Sequence, residues 1–426
     1  MERFFSPRTL IYAWNKIELL ITIYLLLIAE QTFLRNSKYV VYGLVALLVL
    51  KHWKRVTYAT TRDIILPVLV VLAAFSVMWS AAPHVTADEM DLVWRSTFFG
   101  VYIGARYTPK EQMQLLAWVC GAAAILSLIY ILFIPSTGIS FTNGEETWQG
   151  IYKHKQYLGR MMTLGAVIFA LNLAAHPKQR WINLSGFILT TVMLVLARST
   201  TSLIVFIIAL LILSLQNFVK LGYKLKIFLL ATITSLICIV SILILGNLEF
   251  IVVDFLGKDL TFSGRTEVWT MAIQKGAERF WLGYGYSGFW TSSESSQILN
   301  STWALSKSAG EGRFHVHSGF IDLFLQLGML GLALFSIGFF LTLSRVIVLL
   351  TRTHQIEFLC MFQILILKIL FNTTETMTIL SGNIFWPLYV SIVLSSIIQR
   401  QRLLRVSTRE IINLERQPCL NHSSSS

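Results

Sequence analysis

Six ionisable side chains lie in the segments between long apolar runs of this chain. They are Lys153, Lys155, Arg198, Arg265, His317 and Glu375. Ionisable residues at membrane depth are functional candidates by default, because burying a charge in hydrocarbon costs several kcal/mol. Guanidinium groups bind phosphate-sized anions, and imidazole accepts a proton near neutral pH. The six residues are therefore considered together as candidates for a single site.

His315 and His317 occur in the segment FHVHSGF, immediately before an apolar run that starts at Gly319. A metal site needs three or four ligands, so Glu311 would have to serve as the third ligand of the pair. Action as a general base, or as the group that orients a hydroxyl, suits a neutral histidine better. A polar pair at the membrane surface without a chemical role is the remaining interpretation.

Arg265 follows Ser-Gly and precedes apolar residues at three- and four-residue spacing, namely Val268, Trp269, Ala272, Ile273, Ala277 and Phe280. This spacing predicts an amphipathic helix on the membrane surface, with Trp269 and Trp281 at the interface. A guanidinium in its first turn would add to the positive end of the helix and form an anion site, unless Arg265 is simply solvated. The nearby GYGYSG is predicted to be a tight turn, since no strand precedes it as a dinucleotide site requires.

The elements that must position these side chains are membrane-spanning helices. Hydrophobic residues make up 55% of the 426 residues, charged residues only 13%, and the mean hydropathy is +0.65. This composition excludes a water-soluble globular protein. The net charge of +13 does not indicate nucleic-acid binding, because the basic residues lie between the apolar runs. The four cysteines form no disulfide framework and no CxxC metal site.

Apolar stretches long enough to cross a bilayer can be placed about twelve times. The predicted spans are 17–34, 39–51, 63–79, 91–107, 112–134, 157–175, 181–197, 199–217, 225–246, 319–343, 356–371 and 383–399. Basic residues concentrate in segments that this placement makes cytoplasmic, so both termini are predicted to lie in the cytoplasm. The domains are then 1–246 with nine spans, an external loop at 247–318, three spans at 319–399, and a disordered cytoplasmic tail at 400–426.

Several motifs together resemble the O-antigen ligase and polymerase superfamily, and within it the exopolysaccharide-production polymerases of bacteria. The motifs are WSAAP at 79–83, GIYKHKQYLG at 150–159, ARSTTS at 197–202, SGRTEVW at 263–269, LGYGYSGFW at 282–290, HVHSGFIDLFLQLGMLGL at 315–332 and TTET at 373–376. Two positions depart from the family pattern. The usual His-Asn is His317-Ser318 here, and the usual Lys-Asn is Lys155-Gln156.

The resemblance implies an all-α polytopic membrane protein, GT-C-like, with a large external loop between the ninth and tenth spans. It implies transfer of undecaprenyl-pyrophosphate-linked glycan to a glycan acceptor at the outer face of the bacterial inner membrane, without metal or cofactor. Arg198 and Arg265 would hold the pyrophosphate with help from Lys155, and His317 would act as the base. Lys153, His315 and Glu375 would contact substrate. Polysaccharide export or assembly proteins are expected partners.

Two other classes of function stay open. Proteins that resemble this superfamily have been described as transporters of small anions such as bicarbonate. The sequence shows no paired broken helices and no mid-span ionisable residue to support transport, with Lys368 the nearest candidate. A non-catalytic scaffold for an export complex would not explain why basic residues and histidine gather on the external side.

Overall fold

The apolar runs form α-helices in a computed structural model of the chain, which describes residues 7–30, 38–142, 145–219, 265–302, 314, 316–374 and 379–416. Only helices can satisfy so many backbone groups in lipid without closing a barrel. The helices are α1 (Pro7–Ala29), α2 (Lys38–Lys51), α3 (Trp53–Thr60), α4 (Ile65–Phe75), α5 (Pro83–Arg106), α6 (Pro109–Phe133), α7 (Pro135–Gly138), α8 (Lys155–Ala175), α9 (Arg180–Leu196), α10 (Thr200–Val219), α11 (Arg265–Glu278), α12 (Ser296–Ser301), α13 (Gly319–Thr353), α14 (Ile356–Thr374) and α15 (Phe385–Arg416).

Short elements connect these helices. Within the described residues, Ser76–Met78, Pro177–Gln179 and Ser293–Ser295 form 3-10 turns. An antiparallel hairpin pairs β1 (Ile139–Thr142) with β2 (Glu145–Trp148).

Local sequence explains how α6 begins. Pro109 occupies its first turn, and Thr108 forms a capping box with Glu111 that satisfies free N–H groups of the helix end.

A described helix covers part of every predicted span except 225–246, which lies outside the described residues. Among the described residues, five helices are long and apolar enough to cross a membrane, namely α6, α8, α9 with its preceding turn, α13 and α14. A sixth crossing would be the bent pair α3 and α4, whose axes meet at 94°. The count of about twelve spans and the position of the long loop stay predictions.

The tail differs from its prediction. The sequence indicated no fold from residue 400 onward, but α15 continues as a helix to Arg416. Leucine, isoleucine, arginine and glutamate dominate this stretch, and all but isoleucine rank among the better helix formers. The expectation of a disordered tail is therefore corrected for 400–416, while 417–426 lie outside the described residues.

Contacts divide the helix ends into two groups. At one end, Glu18 of α1 pairs with Lys51, His52 and Arg106. The ion pair between Asp63 and Arg345 lies at this same end in the predicted topology. We call this the basic end; it corresponds to the side that the charge distribution predicts to be cytoplasmic.

Candidate functional site

Six segments meet at the other end of the helices, which we call the loop face. They are 79–86, 150–160, 197–202, 279–290, 316–322 and 379–386. These segments carry most of the motifs that suggested the resemblance. A second hydrophobic cluster, distinct from the main core between the helices, joins α11 and the loop after it to α13. Its buried members are Val268, Ala272, Tyr284, Phe289, Trp290, Ile298, Phe314, Val316 and Leu325.

Arg198 occupies the turn between α9 and α10. Its backbone is left-handed, with φ 49°, a conformation that non-glycine residues adopt at a cost of about 1–3 kcal/mol. The turn is held by hydrogen bonds on either side: Arg198 N–H donates to Val195 at 3.0 Å, and the hydroxyls of Ser199 and Ser202 lie 2.9 Å apart. The side chain is exposed. The surrounding structure therefore fixes an unfavourable backbone that presents a guanidinium at the loop face.

Lys153 and Lys155 lie at the start of α8, beside this turn. Gly159, one turn into α8, packs so closely on α10 that an added Cβ would lie 2.6 Å from Ser202 Oγ. The N-terminal ends of α8 and α10 are therefore adjacent. Lys153 is exposed and Lys155 half-buried. The structure thus brings the candidate cations of the 150s motif to the same corner as Arg198, together with two positive helix ends.

His317 lies in the last turn before α13 and is also left-handed, with φ 54°. The carbonyl of its neighbour Val316 accepts a hydrogen bond from Trp269 Nε1 at 2.7 Å. On the other side, Ser318 is the N-cap residue of α13, and its backbone carbonyl accepts from Asp322 N–H at 3.0 Å. The imidazole is half-buried and its ring lies edge-on to Phe314, with ring centres 6.4 Å apart. His317 is thus held between α11 and α13.

Arg265 is the first residue of α11, so the predicted amphipathic helix is present and begins where the sequence indicated. Trp269, one turn further along, makes the bond to Val316. This bond places the beginning of α11 beside the backbone of His317. His315 and Glu375 lie outside the described residues, so their roles stay predictions.

A buried ion pair that sequence reasoning missed connects α1 to α8. Arg160 and Glu30 are 2% and 1% exposed, and Arg160 Nη2 lies 2.7 Å from Glu30 Oε1. The Arg160 guanidinium also stacks 4.5 Å from the centre of the Tyr157 ring. The second carboxylate oxygen of Glu30 accepts from Ile384 N–H at 3.2 Å. The pair therefore ties the first turns of α8 to the loop before α15.

That loop is held by a second buried cation, Lys368 of α14. Its ammonium donates to Ile379 O at 3.0 Å and faces the rings of Trp386 and Tyr389 at 5.4 and 5.6 Å. Tyr286 OH donates to Leu380 O in the same loop. The sequence does contain a signal for Glu30, Arg160 and Lys368. Each is an ionisable residue within an apolar run, and such residues are expected to have a partner or a function.

Helix α13 is broken at Gly328, where φ is 63° and ψ is −164°. The break frees N–H groups that the 280–281 backbone then satisfies. Met329 N–H donates to Phe280 O at 2.7 Å, and Leu330 N–H donates to Trp281 O at 3.2 Å. An added Cβ at Gly328 would lie 2.3 Å from the Trp281 backbone, so only glycine fits this approach. No sequence pattern predicted the break.

The GYGYSG segment forms the turn that its glycines predict. Gly283 and Gly285 have φ 63° and 87°. Gly285 lies against Ser80 of the WSAAP segment. A Cβ added at Gly285 would lie 2.4 Å from the Cβ of Ser80. Thr86 Oγ1 donates to Tyr286 O at 2.7 Å. The turn is thus clamped between α5 and α13.

A continuous series of contacts therefore links the two left-handed residues. It runs from the Arg198 turn through Gly159 and the Arg160–Glu30 pair to the 379–386 loop. From there it passes through Tyr286 to the glycine turn, and through the bond of Tyr284 N–H to Leu325 O at 2.8 Å into α13 and His317. The loop face is one connected structure.

The exposed side of α11 carries an ion-pair network. Lys275 Nζ lies 2.7 Å from Glu278 Oε2 and 3.3 Å from Glu294 Oε2. The hydrogen bond with Lys275 lowers the pKa of Glu278 and, reciprocally, raises that of Lys275. Burial, followed by the hydrogen bond that Tyr284 donates to Glu278 at 3.1 Å, raises the pKa of Tyr284 to about 12.

Glu278→Gln is expected to reduce the acid sensitivity of folding. Because the pKa of Glu278 is lower in the folded state, its contribution is present above the ordinary value of 4.5 and is lost as pH falls. The effect is small, since the carboxylate is exposed and screened by solvent. Melting temperatures between pH 7 and pH 3 test this, with Glu267→Gln on the same helix as the matched control. Equal pH profiles for the two variants would contradict the assignment.

Comparison with known proteins confirms the resemblance inferred from the motifs. Residues 185–336 match the O-Antigen ligase family. The chain is 24% identical over 318 residues to the Exopolysaccharide production protein ExoQ of Rhizobium meliloti (strain 1021), covering 72% of this chain and 71% of that protein. The family match includes Arg198, Arg265 and His317, whereas Lys153, Lys155 and Glu375 lie outside it.

Proposed function

We propose that this chain is a membrane glycosyltransferase that polymerises or ligates undecaprenyl-pyrophosphate-linked oligosaccharide for cell-surface polysaccharide. One observation carries the proposal. Arg198 and His317 were chosen from sequence for their chemistry, and both have left-handed backbones that their surroundings fix on one connected surface. Strained residues cluster at functional sites, because an enzyme holds reacting groups at a cost to its own stability. The similarity to the O-Antigen ligase family and to ExoQ supports a membrane function in polysaccharide biosynthesis.

Departure of the pyrophosphate requires positive charge. When the bond between the anomeric carbon and the phosphate oxygen breaks, the electron pair remains on the phosphate, and fixed cations stabilise that developing charge. Arg198 and Arg265 bind phosphate oxygens, and Arg forks do so bidentately. Lys153 and Lys155 add charge beside Arg198. The adjacent N-terminal ends of α8 and α10 provide further positive potential.

The acceptor hydroxyl requires a base. Its oxygen forms the new bond to the anomeric carbon while His317 takes the hydroxyl proton, since neutral imidazole is available near pH 7. A single displacement of this kind inverts the anomeric configuration. Glu375 and His315 would orient the sugars. The charge distribution favours a location in the bacterial inner membrane with the loop face toward the periplasm.

A deletion strain separates the two versions of this activity. Lipid-linked single repeats that accumulate while long polymer disappears would identify a polymerase. Free polymer that accumulates without attachment to its acceptor would identify a ligase. Size profiles of surface polysaccharide and of the lipid-linked pool make both measurements. An unchanged profile in the deletion strain would contradict the glycan function.

Arg198→Ala is expected to lower transfer about 10²–10³-fold, as removal of one charge-stabilising donor does in other enzymes. Arg198→Lys should recover part of the rate, because it restores the charge without the bidentate fork. Consumption of the lipid-linked donor by isolated membranes measures the rate. The matched control is Arg352→Ala, which removes an exposed arginine at the basic end. Equal rates for both alanine variants would contradict the role of Arg198.

Transport of a small anion is the second candidate, and the structure provides one observation in its favour. Transporter sites are commonly built from discontinuous helices, and α13 is broken at Gly328. In α13, however, the 280–281 backbone satisfies the freed N–H groups, so those groups are not available to an ion. Uptake of labelled bicarbonate into vesicles tests transport. Flux that survives loss of the lipid-linked donor would favour this candidate.

A further inference from the structure

A groove between α6, α8 and α9 opens toward the membrane, away from the loop face. Its volume is about 720 Å³, within the range of small-molecule sites. Its lining includes Trp118, Gly121 and Ile125 of α6 and Phe169 of α8. Trp118 is 68% exposed and Ile125 is 56% exposed. The groove is therefore accessible to lipid from the side.

The groove has the length of one leaflet. Gln114 and Ile125 mark its extent along α6, which corresponds to about 16 Å at ~1.5 Å rise per residue. The hydrocarbon core of a bilayer is about 30 Å thick, so one leaflet is about half of that. The Gln114 end lies toward the start of α6, at the basic end. The groove thus matches an acyl chain from the leaflet opposite the loop face.

The amide and hydroxyl side chains that line the groove lie toward the end nearest the basic end. Four amide side chains line it there, namely Gln114, Asn172, Gln179 and Asn183. Asn183 is 5% exposed, and within the described part of the chain its Nδ2 has no hydrogen-bond partner. A buried unsatisfied donor costs about 1–3 kcal/mol. Because Nδ2 is enclosed, the amide must turn toward the groove for an ester carbonyl of a glycerolipid to satisfy it.

The mouth of the groove at this end is positive. Lys178 and Arg180 flank Gln179, and Lys110 lies in the first turn of α6; all three are exposed. Within the described residues, none of the three has an ion pair to a carboxylate. The neighbouring Glu111 instead accepts from Thr108 N–H at 2.8 Å in the capping box. These charges complement a phosphate headgroup.

We propose that this groove is a binding site for one glycerophospholipid with an anionic headgroup. One acyl chain lies between α6, α8 and α9, the phosphate lies beside Lys178 and Arg180, and an ester carbonyl accepts from the Asn183 amide, which turns toward the groove. The site is separate from the loop face and does not depend on the glycosyltransferase proposal.

Native mass spectrometry of the full chain, delipidated and titrated with phosphatidylglycerol or phosphatidylcholine, tests the site. We expect one phosphatidylglycerol to bind more tightly than phosphatidylcholine. The double variant Lys178→Gln with Arg180→Gln should lower the affinity for phosphatidylglycerol about fivefold for each charge removed. Its affinity for phosphatidylcholine should not change. Asn183→Leu should weaken both lipids about fivefold through the lost hydrogen bond.

Gly121→Leu fills the groove and should abolish binding of both lipids. An added Cβ there meets only the Phe169 ring at 3.5 Å, so the backbone tolerates the change. Ile188→Phe, an exposed position on α9 outside the groove, is the matched control. Equal affinity for the two lipids in the wild type would overturn the proposal, and so would a Gly121→Leu protein that binds like the control. The charge variants decide the question if Gly121→Leu misfolds, because their changes are on the surface.

Discussion

His317→Ala is expected to lower the rate of glycan transfer about 10²–10⁴-fold, which is the usual effect of removing a general base. The protein should still reach the membrane at its normal level. Trp269 donates to the neighbouring Val316 carbonyl, and the Ser318 carbonyl accepts from Asp322 N–H at the start of α13; neither contact uses the imidazole. Donor consumption and product formation in membranes, normalised to the amount of protein, provide the measurement.

Two further variants separate the imidazole from the backbone of His317. Asparagine tolerates the left-handed conformation well, so His317→Asn should keep the turn while it removes the base. We expect it to be as inactive as His317→Ala. His354→Ala is the matched control, because His354 is also left-handed, with φ 54°, but lies exposed at the end of α13. Full activity of His317→Asn would show that the imidazole is not the base and that His317 matters only for the conformation of the turn.

Arg160→Met is expected to destabilise the protein by about 3–5 kcal/mol, because it leaves the Glu30 carboxylate buried without its cation. Glu30 is only 1% exposed, so water cannot replace the guanidinium. The unfolding temperature of the protein in detergent measures the loss. Arg352→Met, an exposed arginine at the basic end, should change that temperature little.

The double variant Glu30→Met with Arg160→Met tests what the ion pair does besides stabilise the fold. Replacing both partners of a buried pair by apolar residues is often neutral for stability. The double variant should therefore recover much of the unfolding temperature. It also removes the hydrogen bond from Ile384 N–H to Glu30. That bond is one step in the series of contacts that links Arg198 to His317. We expect the rate of glycan transfer to stay reduced in this double variant, although its stability is restored. Full activity would show that the ion pair does not position the site.

The helices were largely predictable, because lipid permits little else for a long apolar run. The predicted span 112–134 and helix α6 (Pro109–Phe133) nearly coincide, because the same apolar run defines both. The break at Gly328 was not predictable, because it exists only where the distant 280–281 backbone supplies the acceptors. The helix at 400–416 was missed because high charge was interpreted as disorder.

For the site, residue types were predictable and their proximity was not. Arg198, Arg265 and His317 were identified from chemistry and motif, and the family match covers all three. Their connection depends on contacts such as that between Glu30 and Ile384, which no local pattern encodes. The left-handed backbones of Arg198 and His317 were not predictable either, because glycine is the residue that normally indicates such a conformation.

The most direct test uses purified protein in vesicles, supplied only with the lipid-linked oligosaccharide and an acceptor. The wild type and His354→Ala should join glycan to the acceptor and release undecaprenyl pyrophosphate in equal amount. His317→Ala should bind the donor but release almost no undecaprenyl pyrophosphate, and Arg198→Ala should bind the donor more weakly and also release almost none. Product at the wild-type rate from either of these two variants would contradict the claim that the loop face performs the transfer.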